Sequence, residues 1–237
     1  SPFAFTGNKF EFRAVGSSQS IAGPNVVLNT IVAESLDEIA TELEKAVAAG
    51  KDLNAEIQAL LPKYIAESKK VIFNGDNYSE EWHREAETRG LPNRRNAVDS
   101  LPDLIAPKSV ALFGRYGVFS ERELHSRFEI LLENYKKTIN IESQLTAQIA
   151  TRQILPAALR YRAEVADAVA KLKAAGAKVP TSQLAQLDEL TTTIEELQGR
   201  TAALCEALDD HVEGDTLAHA KYFRDTIIPA INAVRPA

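Results

Sequence analysis

Leu187, Leu190, Ile194, Leu197, Thr201, Leu204 and Leu208 follow one another in alternating steps of three and four residues. That spacing keeps one row of side chains on a single face of an α-helix, and no strand can match it, because strand faces alternate at every second residue. An apolar row of this length has to be covered along its whole face, so the segment must be a helix packed on other helices. Thr201 is its one polar position.

The segments before it carry the same period. Residues 25 to 49 place Leu28, Val32, Leu36, Ile39, Leu43 and Val47 at helical spacing, and Gly50 is a suitable stop. Residues 54 to 70 form a second helical patch, which Pro62 is expected to kink or divide, since proline lacks the amide donor and crowds the preceding turn. Asn74-Gly75-Asp76-Asn77 reads as a turn. Ser79 ahead of Glu80 and Glu81 suits a helix N-cap, and Gly90 closes that short helix. Prolines 92, 102 and 107 with Gly114 and Gly117 predict short helical turns joined by loops up to residue 119. Ser120 and Glu123 make a capping box, each able to satisfy the other's backbone amide. A long helix should start there, run through Leu124, Phe128, Leu131 and Tyr135, kink at Pro156 and end near Lys173, before Gly176 and Pro180. Thr181 is expected to cap the seam helix, and a last helix over residues 215 to 234, with Pro229 inside it, to fold back as an antiparallel bundle.

The bulk properties narrow the function classes. A net charge of −6 opposes nucleic-acid binding, which needs clustered basic side chains to displace counterions. There is no run of eighteen apolar residues, so no membrane span is expected. The single Cys205 argues against a disulfide framework and fits a reducing, cytoplasmic setting. The chain contains no methionine and opens inside an apolar motif with no preceding cap, so we expect it to be a piece of something larger.

Only the beginning of the chain departs from the helical period. Over Lys9-Phe10-Glu11-Phe12-Arg13 the two-residue period of a strand divides the two phenylalanines from Lys9, Glu11 and Arg13. The charged face is either a solvated, salt-bridged surface or an anion and metal site, and the pattern fits both. The Gly/Ser-rich run from Gly16 to Ser20 that follows reads as a turn-permitting loop, and Ser18 is left without a role.

The first twenty-five residues, the blocks Val71-Ile72-Phe73-Asn74-Gly75 and Arg89-Gly90-Leu91-Pro92-Asn93, and the block from Leu124 to Glu142 together resemble the type III glutamine synthetases. The resemblance runs the length of the chain, weakens after about residue 176, and covers the C-terminal part of such an enzyme. It implies a mainly α fold, a long antiparallel helical bundle preceded by a short strand-bearing stub of an α+β catalytic domain. The expected division is 1–50 for the last strip of the catalytic domain, 51–120 for short helices and loops, and 121–237 for the long-helix bundle.

The same resemblance implies an ATP-dependent ligase that joins ammonia to glutamate through γ-glutamyl phosphate, with Mg²⁺ (or Mn²⁺) at the ATP phosphates. By the Glu-x-Arg strand of that superfamily, Glu11 matches a metal-binding carboxylate. Arg13 matches the catalytic arginine that reaches the substrate carboxyl or the transferring phosphoryl group, a task suited to a guanidinium fork. Lys9 stands where many relatives have arginine and is the candidate contact to nucleotide phosphate. The partners implied are glutamate, ammonia and ATP, within a homo-oligomer, a dodecamer of two rings. Alone, the chain is expected to be inactive, because one carboxylate does not make the oxygen cage that phosphoryl transfer needs. Two other readings stand beside this one: a helical structural or assembly module, in which the seam packs inside the chain or against another subunit, and a related γ-glutamyl ligase using another amine.

Other conspicuous residues receive plain readings. His211, Glu213, Asp215 and His219 straddle a helix–helix turn without a metal-ligand spacing and are read as solvated. His125 is read as a packing or interface residue, Cys205 as a buried, inert thiol, and Trp82 as a packing anchor.

Overall fold

A computed structural model of the chain describes the strand backbone of residues 3–5 and 10–12 and, beyond it, residues 19–76, 78–210 and 213–235. It divides into two compact units, Ser1–Leu124 and His125–Ala237.

In the first unit, β1 (Phe3–Phe5) and β2 (Phe10–Phe12) pair antiparallel, with Phe3 opposite Phe12, Ala4 opposite Glu11 and Phe5 opposite Phe10. Aromatic residues favour this extended backbone. Helix α1 (Ala22–Ala48) begins earlier than its apolar stripe, with Pro24 in its first turn, where the missing amide leaves no helical bond unmade. It ends as foreseen at Gly50. With φ of +81°, Gly50 adopts a left-handed conformation that lets its own amide reach the Val47 carbonyl at 2.9 Å and the Lys51 amide reach that of Ala46 at 3.1 Å. Helix α2 (Leu53–Ser68) is capped by the Asp52 carboxylate, which accepts from the Ala55 amide at 2.9 Å, and it continues undivided through Pro62.

Three acidic side chains of α1 tie it to its neighbours. Glu42 accepts from Lys63 Nζ and Tyr64 Oη of α2, both at 3.0 Å. Glu34 accepts from Arg115 at 3.0 Å, and Asp37 from the Tyr116 hydroxyl at 3.0 Å, at the end of α5 (Pro107–Arg115). The apolar stripe of α1 is only partly covered: Val32 and Leu36 remain 53% and 61% exposed. Between α2 and α5 lie α3 (Glu80–Thr88), capped by Ser79 as expected, and the single-turn α4 (Ala97–Ser100).

Helix α6 (Glu121–Ile149) opens on the capping box: the Ser120 amide donates to Glu123 Oε2 at 2.8 Å, and the Glu123 amide to Ser120 Oγ at 3.3 Å. In the second unit its buried face runs through Phe128, Leu132, Ser143 and Ala147, so Leu132 takes the place expected for Leu131, which is exposed. Both leucines fit the period, and the packing selects one of them.

At Pro156 the helix does not break. A π-helical turn, Ala150–Ile154, joins α6 to α7 (Leu155–Ala174), and the Leu155 amide bonds the Ala150 carbonyl five residues back. The widened turn places Pro156 in the first turn of a new α-helical segment, where its missing amide costs nothing. Pro229 is handled the same way: α9 (Thr216–Tyr222) passes through a π turn, Phe223–Ile227, into α10 (Ile228–Val234).

The seam helix α8 (Thr181–Asp209) follows a short loop after α7 and packs back on it. Its N-cap is Pro180, whose carbonyl accepts from the Gln183 and Leu184 amides, and the Thr181 hydroxyl makes no cap bond, contrary to expectation. Ile194, Leu197, Thr201 and Leu204 are buried. Leu197 and Leu204 join Ala147, Ala150, Ile227 and Val234 in the unit's core, so these seam residues pack inside the chain.

Candidate functional site

Glu11 is the central residue of β2 and pairs across the ladder with Ala4. Lys9 and Arg13 lie outside the described residues, as do Gly16, Ser17 and Ser18 of the loop that follows. Ser20 is described, and its hydroxyl accepts from the Ala22 amide at 3.2 Å, which starts α1. The candidate site is therefore a carboxylate-bearing strand followed, further along the chain, by a helix of which three acidic residues, Glu34, Asp37 and Glu42, are already engaged with α2 and the end of α5.

Glu42 shows this engagement chemically. Its hydrogen bonds from Lys63 and Tyr64 hold the carboxyl below the usual glutamate range, while Lys63 is raised in turn by the same bond. Desolvation and the neighbouring Glu42 together raise the Tyr64 phenol. Such a paired carboxylate is a structural tie and not a vacant acid or base. Among the described residues no group of three His, Cys, Asp or Glu stands close enough to hold a metal ion. A glutamate carboxylate is a hard oxygen donor of the kind that Mg²⁺ or Mn²⁺ accepts, and a metal site at Glu11 would need further ligands.

The other singled-out residues resolve individually. Trp82 is a packing anchor: its ring stacks on Phe73 with centroids 4.5 Å apart, and the Arg89 guanidinium lies 5.4 Å from its centre while donating to the Lys70 and Ile72 carbonyls. Asp215 caps α9, accepting from the Ala218 amide at 2.8 Å. Glu213 is exposed, His219 is half-buried on α9, and His211 lies outside the described residues. His125 is exposed on α6. Cys205 is exposed as well, which corrects the expectation of a buried thiol. It follows Leu204 by one residue, and a step of about 100° around the helix takes it off the buried row.

No helix among the described residues is long and apolar enough to cross a membrane. Residues 56–173 match the family model of the glutamine synthetase C-terminal domain. A type-3 glutamine synthetase of Dictyostelium discoideum is 35% identical over 99% of this chain, which corresponds to 33% of that protein. A glutamine synthetase of Bacteroides fragilis (strain YCH46) is 32% identical over the whole chain and 32% of its own length. A third, from Butyrivibrio fibrisolvens, is 36% identical over 73% of this chain. The chain thus spans about a third of the length of the first two curated relatives.

Proposed function

We propose a function from one premise: this chain belongs to the glutamine synthetase family, whose C-terminal domain it carries. It is the C-terminal part of an enzyme that ligates ammonia to glutamate at the expense of ATP, through a γ-glutamyl phosphate. The observation that carries this reading is the similarity over the full chain to proteins named glutamine synthetase. Residues 1–50 are then the last strip of the catalytic domain, 51–120 a set of short helices and loops, and 121–237 the helical bundle. The exposed apolar residues of α1, Val32 and Leu36, support this division, since they form a face suited to covering by the rest of the catalytic domain.

In this reading Glu11 supplies an oxygen ligand to Mg²⁺ or Mn²⁺. Bound there, such a metal would supply charge neutralisation at the phosphates. Arg13 holds the substrate carboxyl or the transferring phosphoryl oxygens with its planar fork, and Lys9 meets nucleotide phosphate as a point charge. The compartment is the cytoplasm, which the single cysteine supports, and the assembly is the family's two-ringed dodecamer. A second reading, of a helical assembly module, rests on the exposed apolar residues of α6, Ile141 and Leu145, which are 65% and 52% exposed.

The test compares a full-length relative-sized enzyme carrying this chain with the 237-residue chain alone, each assayed for γ-glutamyl transfer and ATP-dependent glutamine formation with Mg²⁺. Activity only in the longer protein, abolished there by Glu11→Ala, is the expected result. A longer protein that is inactive on glutamate and ammonia overturns the ligase reading, and one that tolerates Glu11→Ala overturns the role of the carboxylate.

A further inference from the structure

Within the first unit, an open groove of about 860 Å³ lies between the end of α2 and the end of α3. Pro62, Ile65, Ala66 and Lys69 line it from α2 and its C-terminal cap, at steps that keep them on one side of the helix. Tyr64, about half-way round the helix from Pro62, bonds Glu42 of α1 instead. The other wall is fixed before anything binds. Arg89, at the end of α3, donates to the Lys70 carbonyl at 3.0 Å and to the Ile72 carbonyl at 2.8 Å. The same guanidinium lies over Trp82, which stacks on Phe73, so the segment from Lys70 to Phe73 is held against α3.

The charged residues lining the groove, Lys69, Lys70 and Arg89, are all cationic, in a chain whose net charge is −6. Arg89 is paired with Glu85, whereas Lys69 and Lys70 have no ion pair among the described residues. The rest of the lining is largely apolar, and it is open to solvent: Ile65 is 59% and Ile72 50% exposed. We infer that this groove docks an acidic amphipathic helix of a partner protein, whose apolar side chains cover Ile65 and Ile72 while its carboxylates meet Lys69 and Lys70. An apolar trough with a preformed wall is what a helix laid in a groove needs, and rim charges of one sign select a partner of the other. Pro62 and Ala66 are short enough to let a second helix come close. A bare anion would leave both isoleucines in water. A small apolar ligand would stay largely exposed here, whereas ligand pockets bury most of the molecule they hold. A flat bilayer would span the concave floor without reaching it, and nucleic acid calls for a larger cluster of free cations. The inference does not rest on the enzymatic reading, because these residues lie outside β2 and α1.

Fluorescence anisotropy tests it, with the 237-residue chain and a labelled helical peptide of about 18 residues that carries leucines along one face and glutamates beside them. The peptide should bind saturably, more weakly as salt is raised, and at least about tenfold more weakly once its glutamates are replaced by lysine or its leucines by glutamine. Ile65→Gln, and Lys69→Glu combined with Lys70→Glu, should each weaken binding by about tenfold or more with the helical circular-dichroism spectrum intact, since all three side chains are exposed. The lysine form of the peptide should regain affinity for the doubly changed chain, a recovery that lost structure cannot produce. In the unaltered chain, the glutamate peptide should shift the methyl resonances of Ile65 and Ile72. Glu11→Ala should bind the peptide as the unaltered chain does, so failure of the ligase reading and failure of this one are separately visible. No saturable binding, equal binding of the lysine form, no recovery on exchanging the charges, unmoved methyl resonances, or tighter binding to phosphatidylserine vesicles than to the peptide overturns the proposal. So does loss of peptide binding in a longer enzyme carrying this chain, because the occupant would then be another part of that enzyme.

Discussion

The hydroxyl of Tyr222 donates to the backbone carbonyl of Ala207 across 2.8 Å. The bond matters because α8 ends at an extended Asp210, with no left-handed glycine to fold the chain back over its last carbonyls. Tyr222→Phe should therefore lower stability by about 1 kcal/mol, the ordinary net worth of a partly buried hydrogen bond. Urea unfolding should show an earlier midpoint with an unchanged slope; an unchanged midpoint would mean that solvent replaces the phenol without loss.

Leu204 is fully buried in the core of the second unit, and its neighbour Cys205 is exposed. Leu204→Ala should cost about 2–5 kcal/mol through lost burial and the cavity left behind. Cys205→Ala should stay within about 0.5 kcal/mol. Thermal unfolding of the pair measures the contrast, and similar melting temperatures would mean that the helix is rotated from the orientation described.

Thr201 sits in the seam with its hydroxyl oxygen buried and without a hydrogen-bond partner among the described residues. Valine has nearly the same shape and no polar atom to desolvate. Thr201→Val should therefore stabilise the chain by about 1 kcal/mol. A melting temperature that falls instead would show that the hydroxyl is satisfied in solution.

Two carboxyls of the first unit, Glu42 and Asp103, are held below their ordinary values of 4.5 and 3.8, chiefly by hydrogen bonds from Lys63 and from Arg94. Their contribution to stability is complete above those ordinary values and is lost as the pH falls through the lower folded-state values. Tyr64, Tyr116 and Tyr222 are raised above the ordinary 10.0, mainly by desolvation, so their contribution is complete below that value and is lost as the pH rises beyond it. Unfolding followed across pH should show a plateau bounded by these two limbs. Glu42→Gln should soften the acid limb, and added salt should shrink the effect, because the groups are near the surface.

Local signals were the most legible part of the sequence. The Ser120–Glu123 capping box, the Gly50 stop and the Ser79 cap are decided by a few adjacent residues and appear as read. The seam was legible because a stripe of that length has one geometric solution. Choices between adjacent residues were not. Leu131 and Leu132 both suit the period, and Cys205 is one step from the seam, so only the neighbouring helices decide which side chain is covered. Of the candidate site, alternation alone left the face of Glu11 open between solvated surface and ligand, and the role proposed for it comes from family resemblance. Lys136 and His219 are remote from each other in sequence and share no motif, so only the folded helices bring them to the lining of one cleft.

The two π turns have a geometric consequence for how the bundle tolerates change. Each holds one residue more than the same arc of α-helix, so it advances the phase of everything downstream by about 100°. The rod from α6 to α7 thereby absorbs an extra residue without leaving the helical path, and α8 packs on both the π turn and α7. Deleting a single residue inside Ala150–Ile154 would leave an ordinary α-helical turn over the same arc and keep Val169 in its buried setting, whereas the same deletion in the regular part of α7 ahead of Val169 would turn that side chain away by about 100°.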